Sequence, residues 1–255
     1  MEQIKVKNID FNEQLLEDGF GIIPSFLPAP VINALSDFFD DTLVESKVDV
    51  GFFTTHWSPE LTYRKKINDF VQQSCLPFLQ GFFDNYKCVL GYFLYKQASA
   101  ESEIGIHRDW TLIDESKFRG YIIWIPLTDT NVENGCFHLV PRSHLACNEH
   151  RGSHIQPILN AELASNMIPV PIKAGSALVI DLRLLHYSPP NLSIAGRLAV
   201  GLLIVPTEAP LLHYYYDSKS RTTQIHKVDD NFLINSFYDY KHQLSDDYIL
   251  SFINK

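Results

Sequence analysis

The sequence predicts a mainly β chain with flanking helices, its strands forming an antiparallel barrel or sandwich. Val89 to Tyr95, Tyr121 to Leu127, Ala177 to Leu182 and Leu198 to Val205 are short runs rich in Ile, Val, Leu and Tyr. Turn formers separate them, namely Asn134-Gly135, Ala174-Gly175, Pro189-Pro190-Asn191 and Ala195-Gly196. Helical spacing is confined to the two ends of the chain. Many short strands punctuated in this way are the mark of antiparallel all-β folds.

Taken in order, Phe11 to Asp18 reads as a brief helix stopped by Gly19, and Phe20 to Pro24 as an extended segment. Pro28 and Pro30 suit a helix start, where a missing amide proton does no harm. Val31, Leu35, Phe38 and Phe39 then recur at helical spacing, so that helix has one buried face. The helical part runs to about residue 87 and the barrel from about 88 to 206. From Asp229 to Lys255 helical character returns, with Asp229 or Asp230 as N-cap and Phe232, Leu233, Phe237 and Tyr240 on one side. No repeat or linker divides residues 1–255, which read as one domain.

Composition narrows the function classes. Apolar residues make up 45% and charged residues 20%, ordinary for a globular protein with a sizeable core. A net charge of −9 argues against nucleic acid and anionic membrane as partners, since both select basic surface. No run approaches the roughly 18 unbroken apolar residues of a membrane span, and Met1 to Asp18 is too acidic for a secretory or transit peptide. Cys75, Cys88, Cys136 and Cys147 show neither C-x-x-C pairing nor zinc-ribbon spacing, which suits reduced thiols in a cytoplasmic protein.

The chemistry lies in His107-Arg108-Asp109, in His186 and in Arg197. On a strand His107 and Asp109 point to one face, so a single strand offers an imidazole and a carboxylate to one metal. His186 follows the apolar run Ala177 to Leu185 and precedes a turn, which puts it at a strand end. Two histidines and a carboxylate are the ligand set that holds non-haem Fe(II) and leaves positions open. Alternation puts Arg197, Ala199 and Gly201 on one face of the next strand, leaving room for a small ligand in the lumen. Leu198, Val200 and Leu202 share the other face, which packs under helices. A buried arginine suits the far carboxylate of a chelating 2-oxo acid, because its fork binds both oxygens at once.

At these residues the chain resembles the phytanoyl-CoA dioxygenase-like family of Fe(II)- and 2-oxoglutarate-dependent oxygenases. The resemblance runs from Asp18-Gly19-Phe20-Gly21-Ile22-Ile23-Pro24 to about Val205. It includes Asn134-Gly135-Cys136-Phe137, followed by Pro141-Arg142-Ser143-His144, which is similar to a family stretch with glycine where Arg142 stands here. Gly175 also fits the pattern. The resemblance implies a double-stranded β-helix, the jelly-roll or cupin-like barrel. It implies His107, Asp109 and His186 as iron ligands and Arg197 as partner of the distal carboxylate of 2-oxoglutarate. It further implies Ser188, Trp124 and Tyr95 as co-substrate contacts, with O2 as oxidant and succinate and CO2 as products. Halogenases of the superfamily carry a small residue where Asp109 stands, so hydroxylation of an unactivated C–H bond in a small metabolite, amino-acid-type or natural product, is the expected reaction. Desaturation, epoxidation or cyclisation at the same site is the alternative, and a ligand-binding barrel without turnover is the alternative of another class.

Two further segments carry two readings each, and one cluster of histidines stands apart. Gly51 to Trp57 followed by Tyr63-Arg64-Lys65-Lys66 is either a lid with a basic contact or a loop with a solvated charge run. His213-Tyr214-Tyr215-Tyr216 is either pocket rim or packed turn. His138, His144, His150 and His154 cluster in sequence without the period that a second metal site needs.

Overall fold

The computed structural model describes residues 3–43, 51–153, 166–217, 219, 221–235 and 249–254, the last of these by backbone alone. The chain opens with β1 (Lys5–Val6), α1 (Ile9–Asp18) and β2 (Phe20–Ile23). The Asn8 side chain accepts the Phe11 amide at 2.8 Å and caps α1. Gly19 closes that helix at φ 82, a left-handed position open to glycine. Next come α2 (Ala29–Leu43), β3 (Phe52–Thr54), α3 (Leu61–Leu79), β4 (Phe83–Asp84) and β5 (Tyr86–Lys96). Then follow β6 (Ile104–His107), β7 (Tyr121–Pro126), β8 (Phe137–Leu139), β9 (Ile168–Val170), β10 (Ala177–Asp181), β11 (His186–Ser188) and β12 (Arg197–Pro206). The chain ends with β13 (Leu211–Asp217), β14 (Thr222–Val228), a short α4 (Phe232–Asn235) and β15 (Ile249–Asn254).

Two antiparallel sheets form the jelly roll, open at their edges rather than closed into one barrel. The larger has the order β2-β10-β7-β12-β5-β3 and the smaller β6-β11-β8-β9. Trp124, Leu178, Ile180 and Ala199 of the larger sheet pack against Phe137, Leu139 and Val170 of the smaller. On its other face the larger sheet carries the helices: Leu15, Leu35, Phe39, Ile67 and Val71 meet Ile123, Val179, Val200, Leu202 and Ile204. Each such fully buried side chain contributes about 1.5–3 kcal/mol. The alternation expected along β12 therefore holds, with Leu198, Val200 and Leu202 under the helices and Ala199 in the layer between the sheets. The room left by Gly201 is taken, however, because an added Cβ would stand 2.5 Å from the Tyr92 ring.

Two expectations are corrected. Tyr63 to Lys66 lies in α3, not in a loop, and Arg64 is buried. Its Nε donates to the Ile234 carbonyl at 2.7 Å and its Nη2 to Asn235 at 3.2 Å, which ties α3 to the end of α4. Of the helix expected from Asp229 onward, the described residues include Phe232–Asn235, with Phe232, Leu233 and Ile234 all buried. Ile249–Asn254 is a strand that pairs with β14, and His213 to Tyr216 belongs to β13 of the same three-stranded sheet. Phe237, Tyr240 and His154 lie outside the described residues.

Candidate metal centre and co-substrate pocket

His107 and His186 are register partners across the antiparallel pair β6 and β11. Side chains directly opposite in such a ladder stand on one face within reach of each other, and the two rings lie 4.2 Å apart at 57°. Each Nδ1 faces the carbonyl two residues earlier, Gly105 at 2.7 Å for His107 and Leu184 at 3.0 Å for His186. A carbonyl only accepts, so Nδ1 carries the proton and Nε2 presents its lone pair. Burial and the neighbouring His107 hold the His186 pKa down to about 4, which keeps that imidazole neutral. β6 stops at His107, and Asp109 follows in irregular chain. Donor atoms of His107, Asp109 and His186 nevertheless lie within 4.8 Å of one another, the one such group among the described residues.

Two arginines brace this irregular segment. Arg151 donates from Nε to the Asp109 carbonyl at 2.6 Å and grips both Glu115 oxygens, at 2.9 and 2.6 Å. Arg108 turns away from the centre, donating to the Arg183 carbonyl at 2.8 Å and pairing with Glu149 at 2.6 Å. The Asp109 main chain is thus fixed, while its buried Oδ2 has no hydrogen-bond partner among the described residues. A buried carboxylate oxygen left bare fits a cation as its missing partner.

Arg197 opens β12 and is 1% exposed, beneath the Trp124 ring at 5.3 Å. Its Nη1 and the Ser188 hydroxyl both donate to the Gly135 carbonyl, and Nη1 also lies 3.4 Å from Ser188 Oγ. Gly135 has φ 74, and a Cβ there would stand 2.4 Å from the Pro189 carbonyl, so the Asn134-Gly135 turn shapes the site as well as ending a strand. Among the described residues no carboxylate pairs with Arg197, and burial holds its pKa down to about 10. Arg197 Nε and Trp124 Nε1 are buried donors without acceptors among the described residues. A guanidinium and an indole N–H left open side by side fit an anionic ligand, and the donor set of the metal centre fits Fe(II).

Lys96 is the residue that sequence reasoning missed. It pairs with Arg197 across β5 and β12, is fully buried, and donates to the carbonyls of Ser102, Ser188 and Pro189 at 2.6, 3.0 and 2.7 Å. Burial and Arg197 lower its pKa to about 7. Alternation along β5 was the available signal, since Tyr92, Leu94 and Lys96 share the face that Tyr95 does not. Tyr95 itself packs against Phe39 at 5.5 Å on the helix side. The geometry therefore does not bring Tyr95 to the co-substrate, and Leu94 lines the cavity in its place.

A cavity of about 700 Å³ opens onto the centre and is lined by His107, Asp109 and His186 together with Ser188 and Trp124. Phe52, Thr54, His56 and Trp57 line it too, so the aromatic half of the 51–66 segment borders the cavity while its basic half does not. His150 also borders it, stacked on Tyr214 at 4.6 Å, whereas His138 turns toward Cys136 and Tyr187.

The sequence pattern described as phytanoyl-CoA dioxygenase (PhyH) matches residues 15–199. The chain belongs to that family. Among curated relatives, the phytanoyl-CoA dioxygenase domain-containing protein 1 homolog of Dictyostelium discoideum is 25% identical over 155 residues, 56% of this chain and 52% of that one. Phytanoyl-CoA dioxygenase of Arabidopsis thaliana is 30% identical over 125 residues, 46% of this chain and 43% of that one. The chain thus spans about half the length of the curated relatives it matches. The fold is similar to that of the non-heme alpha ketoglutarate dependent carbocyclase SnoK from nogalamycin biosynthesis, with TM-score 0.59 and 22% identity over 80% of this chain and 86% of that one. It is also similar to HygX from Streptomyces hygroscopicus, solved with nickel and 2-oxoglutarate bound, with TM-score 0.58 and 15% identity over 79% and 88%.

Proposed function

We propose that this chain is a single-domain, Fe(II)- and 2-oxoglutarate-dependent dioxygenase that hydroxylates an unactivated C–H bond of a small metabolite. One observation carries the reading: two imidazoles and a carboxylate converge within 4.8 Å beside a buried arginine that has no carboxylate partner among the described residues. His107 and His186 would hold the iron through Nε2 and Asp109 through its carboxylate. Arg197, Ser188 and Trp124 would hold the distal carboxylate of 2-oxoglutarate. When bound, iron and co-substrate supply O2 activation coupled to oxidative decarboxylation, which yields succinate and CO2.

The chain's own part is positioning and exclusion of water. Nδ1 protons donated to Gly105 and Leu184 fix both imidazoles in the ligating tautomer. Arg151 fixes Asp109 from behind. Apolar side chains around the centre keep water from the reacting carbon, and the substrate's orientation within them decides which C–H bond reacts. A carboxylate at position 109 supports oxygen transfer over halogenation. The fold shared with a carbocyclase supports ring closure as the second reading, and product mass separates the two, through a gain of one oxygen atom or a loss of two hydrogens. The four free thiols suit a cytoplasmic setting, and the net charge of −9 suits a small molecule rather than nucleic acid as partner. Among the described residues no helix is long and apolar enough to cross a membrane.

Anaerobic titration with Fe(II) and 2-oxoglutarate tests the assignment through the weak visible charge-transfer band of the chelate. The band is expected in the wild type and absent in His186→Ala. A wild type that binds neither would leave the ligand-binding barrel without turnover as the reading.

A further inference from the structure

The cavity above the metal centre has a character that the centre itself does not require. Its rings form two linked sets. In the first, Phe52 meets Trp57 at 5.6 Å, Trp57 meets His56 at 5.9 Å, and His56 meets Tyr92 at 4.8 Å. In the second, Trp110 rests on His213 at 5.7 Å, which rests on Phe232 at 4.9 Å. Phe52, His56, Trp57, Tyr92 and Trp110 all border the cavity. Rings braced by other rings keep fixed faces, and such faces favour a flat partner at 4.5–7 Å over a flexible chain.

The charges that the described residues place around the same cavity are already paired or belong to the metal centre. Among the described residues its only cationic lining groups outside the histidines are Arg108 and Arg151. Arg108 is paired with Glu149 and Arg151 with Glu115, each at 2.6 Å, with all four side chains largely buried. Glu149 is consumed by Arg108, and Asp109 belongs to the metal centre. Burial together with Arg64 holds His56 neutral, its pKa lowered to about 3, and burial lowers that of His150. Arg197 and Lys96 do not line the cavity. An ammonium, carboxylate or phosphate brought inside would meet no unpaired opposite charge among the described lining residues.

We propose that the substrate is an uncharged molecule built on fused or linked flat rings, held by the aromatic wall of Phe52, Trp57, Tyr92 and Trp110. This rests on the oxygenase reading and decides between its two substrate classes, against amino acids and acyl-CoA thioesters. Trp57 is the specificity residue with most to say, since it is 38% exposed at the mouth and stands in the ring set without holding the core.

The test is calorimetric titration of the full chain, loaded with Zn(II) and 2-oxoglutarate, with four probes. These are fluorenone, a fluorenone carboxylate, L-arginine and lauroyl-CoA. Fluorenone is expected to bind saturably, and its carboxylate at least about tenfold more weakly, because the same rings then carry one unpaired charge. Trp57→Ala should weaken fluorenone about fivefold, with Trp57→Phe restoring most of it. Equal or tighter binding of the carboxylate, of L-arginine or of lauroyl-CoA overturns the proposal, as does fluorenone binding indifferent to Trp57. The Fe(II)–2-oxoglutarate band is read on the same preparation. A band without fluorenone binding overturns the substrate class alone. Fluorenone binding without a band overturns the oxygenase reading and leaves the ligand class of the cavity standing.

Discussion

Arg197→Met separates the two things that a buried guanidinium can do, hold the fold or hold a ligand. Removing one partner of a buried ion pair ordinarily costs about 3–5 kcal/mol, because a bare charge stays behind. Arg197 has no carboxylate to leave behind among the described residues. Its pKa, held from 12.5 to about 10 by burial, means that the charge is disfavoured in the fold by about 3 kcal/mol. Methionine relieves that penalty and fills much of the same volume. Against the gain stand a cation–π contact with Trp124 at 5.3 Å, about 0.5–2 kcal/mol, and a bond to the Gly135 carbonyl. That carbonyl keeps the Ser188 hydroxyl as donor at 2.9 Å, so it is not orphaned. The balance lies near zero or slightly in favour of the variant. Urea unfolding of the ligand-free protein should therefore give equal or higher stability, with the midpoint temperature unchanged or raised by a few degrees. Added 2-oxoglutarate with Ni(II) should stabilise the wild type, by about 2.7 kcal/mol at one hundred times its Kd, and the variant hardly at all. A loss of about 3 kcal/mol in the ligand-free variant would show that Arg197 is a structural residue, and the reasoning would fail.

Lys96 predicts a pH dependence. In the free protein its proton is lost as pH rises through about 7, whereas a dianion held beside it favours the charged form, so co-substrate binding takes up a proton. Affinity should fall from about pH 7 to about pH 9, and binding enthalpy should differ between phosphate and Tris buffers. Enthalpy independent of buffer would show that Lys96 does not change its protonation when the co-substrate binds. Arg142 stands at φ 67, where the family stretch has glycine. Arg142→Gly relieves about 1–2 kcal/mol of left-handed strain, against glycine's entropy and an exposed ion pair with Glu17 at 2.6 Å that is worth little. Its melting temperature should rise by about 1–3 °C, and a fall would refute the strain. Gly201→Ala sets a Cβ 2.5 Å from the Tyr92 ring, so chemical denaturation should show a loss of about 1–3 kcal/mol from overpacking. An unchanged midpoint would mean that Tyr92 moves freely into the cavity.

How much of this was legible depended on whether a residue's face could be counted. Along Arg197 to Leu203 strict alternation separated lumen from helix side, and the fold obeys it. The same count applied to β5 would have put Lys96 beside Arg197 and Tyr95 on the far face. A lysine at a strand end looks like an ordinary surface residue, and the resemblance makes Tyr95 a co-substrate contact, so neither residue draws attention to that count. Register, which no single strand reveals, was the missing fact. The C-terminal sheet was hidden for another reason. Thr222–Val228 mixes Thr, Gln, His and Lys with two aliphatic residues, and Ile249–Asn254 is six residues long, so neither outweighed the apolar clusters at Phe232 and Phe237 that suggested a helix. Arg64 misled through its neighbours, since Lys65 and Lys66 are ordinary surface residues while Arg64 between Tyr63 and them is swallowed by the α3–α4 contact.

Two buried cations, Arg197 and Lys96, stand at one end of the site and two paired arginines at the other, and the difference in their partners assigns the ends. Arg108 and Arg151 are matched by glutamates, so their charge is spent within the chain and their work is to hold the segment around Asp109 still. Among the described residues Lys96 is matched only by carbonyls, and Arg197 by a carbonyl and a hydroxyl. Dipoles reduce the cost of burying a charge without cancelling it. That end of the site therefore suits an anion with two accepting oxygens. Such an arrangement lets the co-substrate's binding energy appear as ordering of the metal end, through Ser188, whose carbonyl Lys96 holds two residues after His186. A double-mutant cycle between Lys96→Met and Arg197→Met tests this coupling. If the two cations act on one anion, the second substitution should cost 2-oxoglutarate binding far less than the first. Fully additive losses would mean that Lys96 and Arg197 do not act on one anion, and the coupling would fall.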